Sequence, residues 1–187
     1  MSPEIIQPSL PDSVLNNLGL VPDDIFSTED KILSYQGKKV SPEIARMFTR
    51  WIRPNLSQKT DELIDYYILK RNISYSVVGI MDVIDSVTVI ILHEKSNVST
   101  TNCYAYLMTV KDSQLIDLQL IAQAQSEEDS YLPGSPIVFE RLDKNFFSAI
   151  GKPYLDDVID EDGNSEEHQF KELFYIGKDG QIKNKKI

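Results

Sequence analysis

The sequence predicts an α+β fold built on an antiparallel β-meander, and three observations carry that prediction. From residue 63 onward, short runs rich in Val, Ile and Tyr alternate with turn-forming clusters, the spacing of strands joined by brief hairpins. A clear helical period appears over Ser41 to Pro54. The first forty residues are broken by Pro3, Pro8, Pro11 and Pro22, which predicts an irregular arm. At 187 residues the chain fits a single domain: arm 1–40, helix and linker 41–62, and an antiparallel sheet 63–187 that is open or partly closed.

In the arm, Asp12 or Ser13 caps one expected short helical turn that ends by Gly19. The main helix is expected at about 42–53. Ser41 is a good N-cap, Pro42 suits the first helical position, and Glu43 complements the helix dipole. Ile44, Met47, Phe48, Trp51 and Ile52 then form one apolar stripe, which should bury Trp51 against the sheet. Arg46, Arg50 and Arg53 fall on the other side and read as a solvated face, open to pairing with acidic residues. Residues 64–71 fit either element: Leu63, Ile64, Tyr67 and Ile68 have helical spacing, while the Tyr and Ile content favours a strand, which is the expectation adopted. Further strands are expected at Ile73–Met81, Ser86–His93, Asn102–Lys111, Leu115–Ala122, Ile137–Leu142, Phe146–Ile150 and Phe170–Ile176. A turn at Lys178-Asp179-Gly180 leads to a last strand ending at Ile187.

Charge and cysteine content restrict the function classes. The formal net charge is −10, opposite to the concentrated basic surface that nucleic acid or an anionic membrane requires. No apolar run reaches the ~20 residues that span a bilayer, so membrane insertion is not expected. Met1-Ser2-Pro3-Glu4 has no basic region followed by an apolar stretch, and the cytoplasm is the expected compartment. A trimmed signal or lipid anchor would place the protein in the periplasm or cell envelope instead. Cys103 is the only cysteine and sits beside Tyr104, Ala105 and Tyr106, as a buried, inert thiol does.

Residues with chemistry to offer are few. His93 ends an expected strand beside Glu94, and His168 follows Glu166 and Glu167; neither has a nucleophile elbow or Gly-rich turn near it, so no catalytic residue and no cofactor are expected. An acidic stretch holds Asp156, Asp157, Asp160, Glu161, Asp162, Glu166 and Glu167. Aligned on Gly163 as the sixth position of a calcium loop, it puts Val158 at the first position and Gln169 at the twelfth, where acids are required, so no metal site is expected. Asn55, Asn72 and Asn97 each begin an Asn-x-Ser triplet, a chance match without a secretory signal.

The strand Tyr104-Ala-Tyr-Leu-Met-Thr109, the segment Leu115-Ile-Asp117 and the closing Tyr175-Ile-Gly-Lys-Asp-Gly-Gln-Ile182 resemble small bacterial β-meander proteins of the lipoprotein and toxin-immunity type. The resemblance covers about residues 64–187, rests on turn and strand signals, and implies a fold more than a role. The chain lacks the lipidated N-terminal Cys of the lipoprotein form. The expected function is therefore a non-catalytic protein-interaction domain, specifically an immunity-type inhibitor of a toxin partner. The alternative is a cell-envelope or extracellular binding domain. The partner, expected to be a protein such as a basic toxin, would meet Asp156, Asp157, Asp160, Glu161 and Asp162, with Tyr131 of the Pro/Gly loop as an aromatic anchor.

Overall fold

A computed structural model describes residues 9–126, 136–143, 145–151 and 170–186. Its strands form two four-stranded sheets, each a meander in which every neighbouring pair is antiparallel. The first, open sheet runs β1 (Ile73–Ile84), β2 (Val87–Asn97), β3 (Thr101–Lys111) and β4 (Gln114–Gln125). The second runs β5 (Pro136–Asp143), β6 (Phe146–Gly151), β7 (Phe170–Ile176) and β8 (Ile182–Lys186). The α+β meander is as the sequence predicts, but it is divided between two sheets, and β1, β2 and β4 each run three or four residues past their expected C-terminal ends.

Two hairpin tips in the first sheet have the same chemistry. Ile84 pairs with Val87 and Lys111 with Gln114, which leaves the two-residue tips Asp85-Ser86 and Asp112-Ser113. All four residues have positive φ, from 47° to 70°, the backbone of a type I′ turn whose twist matches that of the flanking strands. At the β7–β8 turn the positive φ falls to Gly180, at 83°, the conformation that glycine adopts without cost.

The first sheet is buried on both faces. On β2, Val89, Ile91 and His93 point one way, and Ile90, Leu92 and Glu94 the other; all six are buried. One face packs Val89, Ile91, Cys103, Ala105 and Leu107 against Phe139, Phe147, Phe174 and Ile182 of the second sheet. The opposite face packs Ile90, Leu92, Tyr106 and Met108 under Ile44 and Phe48 of the helix α3, Pro42–Ile52. Coverage on both sides explains why Val87–Leu92 reads as a nearly continuous apolar run without alternation.

The arm has a definite task. It contains two short helices, α1 (Asp12–Leu15) and α2 (Glu29–Ser34). Between and after them it hydrogen-bonds the free edge of β1: Val21 N–H donates to Ile80 O (2.9 Å), Ile80 N–H to Gly19 O (2.8 Å), and Val40 N–H to Tyr75 O (3.1 Å). A Cβ at Gly79 would lie 2.6 Å from Gly19 O, so this close approach requires glycine. Phe139 N–H of β5 likewise donates to Phe26 O (3.1 Å). Open edges invite pairing with other chains, and the arm removes two of them.

One expected element is wrong in kind. Residues 61–70 form a helix, α4 (Asp61–Lys70), where the sequence reading placed a strand at 64–71. Asp61 and Glu62 in the first turn and Lys70 in the last complement the helix dipole. The helical spacing of Ile64, Tyr67 and Ile68 lets them face the sheet, where Ile64 is fully buried. That tertiary contact outweighs the strand propensity of Tyr and Ile.

Candidate interaction surface

α3 and α4 are joined through the 3-10 turn Pro54–Leu56 and lie over the same face of the first sheet. The arginines of α3 fix α4 in place. Arg46 donates to Asp65 (2.8 Å) and Asp61 (3.3 Å), and Arg50 donates to Asp61 (2.6 Å) and to Lys59 O (3.0 Å). These bonds correct the expectation of a solvated arginine face: two of the three brace the helix pair.

Arg53 turns inward and forms a bidentate pair with Glu94, whose side chain is 1% exposed. It also donates to Tyr75 Oη at 2.9 Å. Tyr75 Oη lies 3.1 Å from Thr49 Oγ1, and Thr49 donates its own proton to Ala45 O at 2.8 Å. The directions are therefore set: Tyr75 accepts from Arg53 and donates to Thr49. Burial works against charge on Arg53, but the hydrogen bond and charge of Glu94 outweigh it and hold its pKa above the ordinary value. Burial raises the pKa of Tyr75 and of Tyr106. In cross-strand register, Tyr75, Glu94, Tyr104 and Gln123 form one polar row across the sheet.

His93 lies inside β2, not at its end as expected, on the side covered by the arm and α2. Its Nε2 is 3.1 Å from Ile32 O; a carbonyl only accepts, so this nitrogen carries the proton. The ring stacks on Phe26 (5.8 Å between centroids) and meets Tyr35 edge-on (5.1 Å). Burial pushes its pKa down to about 4, so it is a neutral cap on a carbonyl of α2 at pH 7. Cys103 is fully buried, and its thiol is pushed up to about 11 by that burial, as expected for an inert residue. Trp51 packs against the core with only part of its surface exposed, in line with the burial expected from the apolar stripe, while Phe48, three positions earlier, is fully enclosed.

The outward side of α4 is different in character. Leu63, Tyr66 and Leu69 are 54%, 60% and 79% exposed and recur at three-residue spacing along one face. Beside them lies a mainly apolar groove of about 380 Å³, lined by Leu56, Lys59, Leu63, Tyr66, Lys70 and Arg71. Lys70 Nζ is 5.9 Å from the centre of the Tyr66 ring, and the Arg71 guanidinium is 5.3 Å from that of Tyr67. Among the described residues none of Lys59, Lys70 and Arg71 is in an ion pair. Asp61 and Asp65 point to the α3 arginines, which leaves Glu62 as the other acid of this helix. The result is an apolar stripe with a cationic rim. A second groove, of about 730 Å³, runs between α1, the segment Tyr35–Val40 and the start of α3.

Asp156, Asp157, Asp160, Glu161, Asp162 and Tyr131, the partner-binding residues expected from sequence, all lie outside the described residues. Among the described residues no three His, Cys, Asp or Glu side chains are grouped to hold a metal, and no helix is long and apolar enough to cross a membrane. The face of α4 has no place in the sequence expectation, which makes its segment a strand. A signal was present: Leu63, Tyr66 and Leu69 are apolar residues left over once Ile64, Tyr67 and Ile68 occupy the buried stripe. Comparison with protein-family models, with curated proteins and with solved structures finds no match to this chain.

Proposed function

We propose that the protein is a non-catalytic protein-interaction domain of the immunity type, which binds a toxin protein in fixed stoichiometry and blocks it. The observation that carries this reading is the outward face of α4. A large apolar residue exposed singly needs no explanation, whereas Leu63, Tyr66 and Leu69 recur along one helix, and Leu63 and Tyr66 line a groove that Lys59, Lys70 and Arg71 rim with charge, the anatomy of a recognition surface. Tyr is among the residue types that dominate binding energy at such surfaces. The groups with most chemistry to offer in the described residues, His93, Cys103 and the Arg53–Glu94 pair, are engaged in packing and structural hydrogen bonds, which agrees with a binding role. The net charge of −10 favours a partner of opposite overall charge and raises its association rate. The cytoplasm suits the lone reduced thiol of Cys103.

The test is a calorimetric titration against the protein encoded beside this one, paired with an assay of that protein's toxicity. A saturable 1:1 complex that abolishes toxicity, and weakens about tenfold or more on Tyr66→Ala, is the expected outcome. Absence of a complex, or of inhibition within it, contradicts the reading.

A further inference from the structure

We infer that the α4 face seats an acidic segment of the partner, one that carries apolar side chains into the groove between Leu56, Leu63 and Tyr66. This deepens the proposed function and rests on it. The argument is one of charge complementarity. In a chain with ten more acids than bases, the groove is bordered by Lys59, Lys70 and Arg71, none of them in an ion pair among the described residues. The acids of α4 that would cancel this rim, Asp61 and Asp65, are held on the far side by Arg46 and Arg50. The bracing of α3 against α4 thus sorts charge, with Asp61 and Asp65 toward α3 and the cations toward the groove, and Glu62 the exception.

The apolar part sets the second requirement. Leu63, Tyr66 and Leu69 lie on one helix face, so a matching segment offers apolar residues at helical or alternate spacing with carboxylates at its margins. Carboxylates meeting Lys59, Lys70 and Arg71 at the rim contribute mainly to selectivity and encounter rate, and the apolar centre contributes the residence time. An anionic membrane would also welcome a cation-rimmed apolar patch, but the overall charge of −10 repels such a surface. A second copy of the chain is the remaining occupant, and both are decided by the same experiment.

The probes are a labelled synthetic amphipathic peptide with Leu and Phe on one face and Glu on the other, its twin with Lys in place of Glu, and vesicles of phosphatidylcholine and phosphatidylglycerol. Fluorescence anisotropy should show the Glu peptide binding at least about tenfold more tightly than the Lys twin, with affinity falling as salt rises. The triple variant Lys59→Glu, Lys70→Glu, Arg71→Glu should reverse that preference, and Leu63→Ser with Leu69→Ser should abolish binding of both peptides. All five positions lie on the outer side of α4 or its flanks, and circular dichroism checks that the variants fold. Equal binding of both peptides, no binding of the Glu peptide, or a preference unchanged by charge reversal overturns the inference. So does vesicle binding without peptide binding, or dimerisation that the triple variant abolishes. If the neighbouring toxin binds and its affinity ignores charge reversal, this inference fails while the interaction reading stands; if no protein partner binds, the reading itself fails.

Discussion

His93 and Glu94 are consecutive on β2, and the sheet sends them to opposite faces with opposite electrical fates. Toward the arm and α2, His93 sits among Phe26 and Tyr35 with a single carbonyl for company, and burial keeps it neutral. Toward α3, Glu94 is as deeply buried, yet a bidentate arginine and a row of tyrosines surround it. The difference lies in the covering layer. Over His93 the arm and α2 present two aromatic rings and one main-chain carbonyl, whereas over Glu94 the end of α3 reaches across the sheet with a long, charged side chain. One face therefore tolerates a titratable residue by discharging it, and the other by pairing it.

The largest expected effect breaks the paired face. Glu94→Ala leaves Arg53 with a buried, uncompensated charge and should cost about 3–5 kcal/mol in denaturant unfolding. Replacing both partners, Arg53→Met with Glu94→Leu, should cost much less, because neither charge remains to be desolvated. If the double variant is as unstable as the single one, packing rather than pairing holds this face.

The neutral face predicts a pH dependence of opposite origin. The unfolded chain takes up a proton on His93 near its ordinary 6.5, while the folded chain resists until about 4. Stability should be full above 6.5 and fall as pH drops through that window, by up to about 3 kcal/mol from this residue. His93→Gln keeps an N–H donor for Ile32 O and should remove that component of the acid slope. An unchanged difference between pH 7 and pH 4 would mean that His93 is protonated in the folded state.

Smaller effects sharpen the picture at its edges. Trp51→Ala should cost about 2 kcal/mol, less than the ~3–5 kcal/mol of Phe48→Ala, since only part of the indole is enclosed. Equal losses would mean that Trp51 is as buried as its neighbour. At the β1–β2 tip, Ser86 holds φ 70° and should welcome Ser86→Gly, with a gain of about 0.5–1 kcal/mol in thermal unfolding. A loss there would contradict the type I′ geometry.

The legible parts of the fold were those fixed by local chemistry. Ser41-Pro42-Glu43 marks the start of α3, and Ser41 Oγ does accept from Ile44 N–H at 3.4 Å. The Asp-Gly turn was recognisable from residue type and the strands from their β-branched runs, whereas Ser86, expected to begin a strand, is half of the β1–β2 tip. What depends on partners distant in sequence was not legible. Within residues 61–70 the helical spacing of Ile64, Tyr67 and Ile68 and the charges at the two ends compete with the strand propensity of Tyr and Ile, and nothing local says that Arg46 and Arg50 await Asp61 and Asp65. The edge-covering role of the arm is likewise invisible, because main-chain bonds from Gly19, Val21 and Val40 to β1 leave no side-chain signature beyond Gly79 itself. For the same reason the α4 surface was missed, while the acidic stretch, a purely local feature, drew attention.

Hydrogen–deuterium exchange on the chain, alone and saturated with the protein encoded beside it, tests most directly the claim that the outward side of α4 is a recognition surface. The account predicts that amides of residues 59–71 become strongly protected in the complex, with the buried strands β2 and β3 unchanged. Protection confined to other segments, with residues 59–71 exchanging as they do in the free chain, would contradict it.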